Sequence, residues 1–248
     1  QIIINGNSYK KHPCGIIISS TKIPLPIAIY NDTEFYFTDH YSEDLKYLNP
    51  YKFDILELDY LNKLDIIVNL VGDEYHPYKI PLTDKNVFNF FKNGDLSNIF
   101  QFSANSMRKI LYDFEPTTIY DLAMINAVYR PGSINNIPTL INNKRNGYLN
   151  PYKSDSRVGE ILNETYGVLV YQESFMNLLK TIAGIDYTEA DKYRRILFKG
   201  NNKEQISQFK IIFESGCKAN SSLNSKDIKQ LENMILEFVP ISFNKSHS

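Results

Sequence analysis

Apolar and polar residues follow a period of two in the first third of the chain and a helical period from about residue 84 onward. Gly15-Ile-Ile-Ile-Ser19 predicts a short buried strand, Glu34–Asp39 alternates around Phe35 and Phe37, and Tyr51–Leu58 alternates again. In that last run Phe53, Ile55 and Glu57 share one face, while Lys52, Asp54, Leu56 and Leu58 share the other. Further on, Asp84 is placed to cap a helix over Asn86–Asn93, with Gly94 as its stop. Pro116-Thr-Thr opens a helix to about Tyr129 that Arg130-Pro131-Gly132 ends, and Pro138 starts a short one that Gly147 ends. Gln172–Ala183 closes on Gly184, and Thr188 is expected to cap the next helix, with Asp191 at its third position returning the bond. Lys203–Lys218 and Ser225–Phe238 predict a final helical pair. The pattern is that of an α+β chain without internal repeats. A small β-containing piece, residues 1–80, precedes a larger helical domain, residues 81–248, with the join between residues 72 and 84.

The 248 residues are 43% hydrophobic, enough for a packed core. No apolar run approaches the roughly 18–20 residues that span a bilayer, so no membrane role is expected. Cys14 and Cys217 are the only cysteines, which excludes a disulfide framework, and His12 with Cys14 lacks a second ligand pair at zinc spacing. Gln1–Lys11 has no signal-peptide pattern, so a reducing, cytoplasmic compartment is expected. Without an initiator Met, and with Ile2–Ile4 resembling the interior of a sequence, the chain is expected to be a piece of a longer polypeptide. The 26 Asn and 18 Tyr, with no Trp, fit AT-rich codons better than prion-like tracts. Charge is informative only when divided: residues 1–103 carry 9 basic and 13 acidic groups, residues 104–248 carry 18 and 15. Nucleic-acid binding by the second half would therefore use a few placed cations and not a basic tail.

Three places could carry chemistry. Asp54 and Lys52 share a strand face, which by spacing alone suits a cross-strand ion pair on a solvated sheet better than a metal-binding carboxylate beside a phosphate-binding lysine. In Thr188–Lys199, Arg194, Arg195 and Lys199 cluster on a helix, and guanidinium forks grip phosphate oxygens two at a time. The competing reading is an exposed face with an Asp191–Arg195 pair one turn apart. Phe243-Asn-Lys-Ser-His-Ser248 packs an amide, a cation, hydroxyls and an imidazole into six residues, as a binding motif or an exposed polar tail would. No Gly-rich phosphate loop is present.

Read in order, His12-Pro-Cys-Gly15, Lys52-Phe-Asp-Ile-Leu-Glu-Leu58, Ile99-Phe-Gln-Phe102, Pro116–Ala123, Tyr129-Arg-Pro-Gly132, Glu164–Glu173, Ala183-Gly184, Glu189–Arg195 and Phe243–Ser248 form a colinear series. The series resembles the bacterial replicative DNA polymerase III alpha subunit, the C-family polymerase, over nearly the whole chain. Tyr-Arg-Pro-Gly and Tyr-Gln-Glu point to the DnaE-type branch over the PolC type.

The resemblance implies that residues 1–80 are the C-terminal part of a nucleotidyltransferase-like palm and residues 81–248 the fingers. Asp54 matches the third catalytic, metal-binding aspartate, and Lys52 the lysine beside the triphosphate. Arg194, Arg195 and Lys199 match cations over the incoming nucleotide, and Asn244, Lys245 and His247 match a motif facing it. The implied reaction is DNA-directed DNA synthesis by two-metal phosphoryl transfer. The implied cofactor is Mg²⁺, two ions completed by carboxylates outside this chain. The implied partners are primer–template DNA, the incoming dNTP, the remaining polymerase polypeptide and a sliding clamp. One carboxylate cannot hold two dications, so the chain alone is expected to be inactive. Glu57, Ser133, Gly200, Ser103–Ser106 and Pro240–Ser242 depart from the family pattern, and Gly200 removes a second lysine from the phosphate-binding run. These departures suggest a divergent member, from a virus or a reduced genome. The alternative functions are a separately encoded piece of a split polymerase and a non-catalytic relic that binds DNA or a polymerase partner.

Overall fold

The computed structural model describes residues 15–18, 27–29, 36–38, 51–54, 58–93, 95–200 and 202–248. His12, Cys14 and the expected stop Gly94 lie outside them. Two compact units divide at residues 80 and 81.

In the first unit, β1 (Gly15–Ile18) pairs antiparallel with β4 (Tyr51–Asp54), and β2 (Ile27–Ile29) with β3 (Tyr36–Thr38). The run at Ile16–Ile18 is not the buried strand its composition predicts, because both Ile16 and Ile18 are exposed. Register sets Gly15 opposite Asp54 and Ile17 opposite Lys52. β1 therefore offers no charged partner to either residue, and the cross-strand ion pair finds no support there.

Helix α1 (Asp59–Val71) follows, in a third of the chain whose pattern predicts strands. Leu61, Leu64, Val68 and Val71 have helical spacing, but Ile66-Ile67-Val68 has the look of a strand and Leu58 supplies no side-chain cap.

The second unit is helical. It comprises α2 (Lys85–Asn93), α3 (Asn105–Phe114), α4 (Ile119–Val128), α5 (Ile137–Asn146), α6 (Ser156–Leu162), α7 (Gln172–Ala183), α8 (Tyr187–Lys199), α9 (Lys203–Asn220) and α10 (Ser225–Phe238). Local chemistry explains most boundaries. Asp84 accepts from the Asn86 amide at 2.8 Å, as expected, and Gly184 ends α7 in the left-handed region at φ 70°. Thr118 and Asp121 exchange the two bonds of a capping box at the start of α4.

Two cores organise the unit. Met107, Leu111, Phe114, Ile125 and Leu140 centre the one built by α2–α5. Leu162, Phe175, Leu179, Phe209, Phe213 and Ile235 centre the one built by α6–α10. Between them runs an extended segment whose Val168, Val170 and Tyr171 enter the first core while Leu169 enters the second. Phe238 packs against both.

Two buried carboxylates are fully engaged. Asp121 accepts from the Thr117 amide (2.8 Å), the Tyr166 hydroxyl (2.8 Å) and Lys144. Burial pulls its carboxyl upward, but those donors outweigh burial and hold it below the usual carboxylate range. Asp155 caps α6, takes both Nε (2.8 Å) and Nη2 (2.6 Å) of Arg157, and accepts from the Ser222 amide at 3.1 Å. Arg157 reaches on to the Thr181 carbonyl, 3.0 Å, tying α6 to the end of α7.

The Arg157 hydrogen bonds, joined by the Ser222 and Arg157 amides, lower Asp155 to about 2 against the pull of burial. A carboxyl depressed in the folded state stabilises above its unfolded pKa, about 3.9, and loses that contribution as pH falls toward 2. Asp155→Asn should therefore lower stability by about 2 kcal/mol at pH 7. In urea unfolding, the gap between variant and parent should narrow below about pH 4. A gap that ignores pH would assign the loss to packing.

Candidate functional site

The sequence-predicted motif at Phe243–Ser248 is not a free tail. The turn Val239–Ile241 ends α10, and Ser242 closes it by donating to the Val239 carbonyl at 2.7 Å. Phe243 then lies parallel to Tyr171: its amide donates to the Val170 carbonyl and its carbonyl accepts from the Gln172 amide, each at 2.9 Å. The Lys245 amide donates to Glu173 (2.9 Å), and the Lys245 ammonium meets Glu164 at 2.7 Å and lies 5.7 Å from the Tyr171 ring centre. Burial pushes the Tyr171 hydroxyl up to about 12, although a hydrogen bond with Ser248 acts in the other direction. Asn244 and His247 are left exposed.

Arg130 completes the junction. Its Nε donates to the Ala127 carbonyl (2.9 Å), its Nη2 to the Ile241 carbonyl (3.1 Å), and its guanidinium lies 4.3 Å from the Phe243 ring centre. Gly132, at φ 94°, lets this loop close in, since a Cβ there would lie 3.1 Å from Ile241. Residues from Tyr129–Gly132, Glu164–Glu173 and Phe243–Ser248 thus meet at one place.

The second cluster is on α8, which packs against the same Val239–Ile241 turn. Asp186 caps this helix, accepting from the Thr188 (2.8 Å) and Glu189 (3.0 Å) amides. This corrects the expected Thr188 cap: the aspartate two residues earlier reaches both amides and starts the helix sooner. Asp191 is thereby released from capping and receives both arginines. Arg194 Nε lies 2.8 Å from Oδ1, and Arg195 Nε 2.9 Å from Oδ2, each fork adding its Nη2. Burial raises the Asp191 carboxyl, and the two guanidinium groups more than offset it, leaving it below the usual range. Ala190, Tyr193 and Leu197 face the core, while Arg195 and Lys199 are exposed and Arg194 is half-buried.

Asp54 and Lys52 lie on β4 in the first unit, and their side chains are outside the described residues. Among the described residues no group of three or more His, Cys, Asp or Glu is placed to hold a metal ion. Arg130, Glu164, Tyr171, Glu173 and Asp191 join these clusters without a site role predicted from the sequence.

A family model described as the bacterial DNA polymerase III alpha subunit finger domain matches residues 57–221. The chain belongs to that family. It is 32% identical, over 96% of its length, to the DNA polymerase III subunit alpha of Mycoplasma genitalium, of which it covers 28%. Identity is 30% to the subunit of Bacillus subtilis and 31% to that of Borreliella burgdorferi, with 21% of each covered. The chain therefore spans between 21% and 28% of these DNA polymerase III alpha subunits. The finger match includes α8 and its arginines, and leaves Lys52, Asp54 and the Phe243–Ser248 motif outside.

Proposed function

We propose that this chain forms the fingers and part of the palm of a cytoplasmic DNA-directed DNA polymerase, which adds dNMP to a primer 3′ end. The observation that carries the reading is the α8 cluster: paired guanidinium forks within the finger match, on a helix packed against the turn that leads into Asn244–His247. In this reading Arg194, Arg195 and Lys199 neutralise the triphosphate, and Asn244, Lys245 and His247 orient the nucleotide. Residues 1–80 contribute a nucleotidyltransferase-like strand on which Lys52 meets phosphate and Asp54 supplies one carboxylate to Mg²⁺. The remaining carboxylates come from outside this chain. DNA, the rest of the polymerase polypeptide and a sliding clamp are its partners.

Reconstitution tests the proposal. The chain alone should extend no primer, and mixing it with a polypeptide carrying the other palm carboxylates should give Mg²⁺-dependent extension of a primed template. DNA binding without extension in the mixture would instead support a non-catalytic fragment. Neither binding nor extension would reject both readings.

A further inference from the structure

Asp191 uses its two oxygens separately, one for each arginine of the pair. Oδ1 takes Nε and Nη2 of Arg194, and Oδ2 takes Nε and Nη2 of Arg195. Both contacts are side-on. A guanidinium has a second bidentate edge, made by Nη1 and the outer hydrogen of Nη2. Among the described residues no partner for either Nη1 is found, and Arg195 keeps 70% of its side chain exposed and Arg194 22%. The carboxylate therefore fixes the rotamers of two long side chains without consuming the edge that grips a phosphate.

We propose that Asp191 is a positioning residue that presents the end-on edges of Arg194 and Arg195 to the triphosphate of an incoming nucleotide. This rests on the triphosphate reading of α8. Two effects oppose each other at such a residue. A carboxylate near a triphosphate repels it, while pre-ordering two arginines removes a cost otherwise met on binding. The half-buried Asp191, 28% exposed, is screened from the outer edges by the guanidinium groups it holds, so pre-ordering dominates.

The test uses the 248-residue chain and dATP, followed by calorimetry at two salt concentrations. Asp191→Asn should weaken dATP binding by about 5- to 10-fold, the low end of the cost of ordering two released arginines because the lost repulsion offsets part of it. Asp191→Glu, which still reaches the third and fourth residues onward, should recover most of the affinity. Equal or tighter binding by Asp191→Asn, with a gain that grows at low salt, would make Asp191 a repulsive charge and overturn the proposal. Nitrogen-15 spectra of the unsubstituted chain decide the matter even where a variant fails to fold. Both Nε–H signals should remain in their hydrogen-bonded positions when dATP is added, and their release would show that phosphate displaces Asp191. Arg194→Ala and Arg195→Ala separate the levels of failure. If they lower dATP affinity and Asp191→Asn does not, this inference alone fails. If they leave it unchanged, or the unsubstituted chain binds no dATP, the triphosphate reading itself fails.

Discussion

Asp54→Asn is expected to reduce Mg²⁺-dependent primer extension by the reconstituted polymerase to below about a tenth of the parent rate, with DNA binding nearly intact. The exchange keeps size and shape but removes the negative charge that a hard dication requires of its oxygen ligand. It removes no phosphate contact, so duplex affinity and its salt dependence should stay as they were. Asp54 ends β4 opposite a glycine, and the facing strand has no cation that a structural ion pair would need. Activity retained above a tenth would make Asp54 structural and place the third carboxylate elsewhere.

The arginine pair should show the converse selectivity. Arg194→Ala or Arg195→Ala should lower kcat/KM for the incoming nucleotide while affinity for primer–template barely moves. Charge-assisted hydrogen bonds contribute about 1.5–3 kcal/mol each, which corresponds to about a 10- to 150-fold fall. Lysine should restore only part of the loss, because a point charge cannot make both bonds of a fork. A duplex contact would behave otherwise, shallowing the salt dependence of DNA binding by about one unit per phosphate lost. That change, with nucleotide use unaffected, would reassign α8 to the duplex.

Where punctuation is chemical, the sequence was legible. Gly184 and Gly147 end α7 and α5, and Thr118 with Asp121 starts α4, each at or within a residue or two of the expected place. α3 escaped notice because Ala104 gives its start no side-chain cap and Glu115, at φ 54°, ends it without a glycine. α6 is only seven residues long, too short for periodicity to reveal. The exposure of Ile16 and Ile18 shows the limit of a local apolar run, since burial is settled by what packs against it.

The site divides in the same way. The arginine pair and the Asn-Lys-Ser-His motif are visible as residue types, and the Asp191–Arg195 pair follows from helical spacing. The acids that hold Lys245 lie 72 and 81 residues away in sequence, and no local pattern announces them. They meet only because α10 returns the chain to the segment between the two cores.

That return restricts motion. The Val168–Tyr171 segment belongs to both cores, and Phe243 is fastened beside it by backbone hydrogen bonds to Val170 and to Gln172 at the start of α7. Bending the helical unit along this line would break those bonds and open both cores at once, the opposite of a hinge, where few contacts cross. Any displacement of the junction therefore carries Arg130, Tyr171 and Lys245 together.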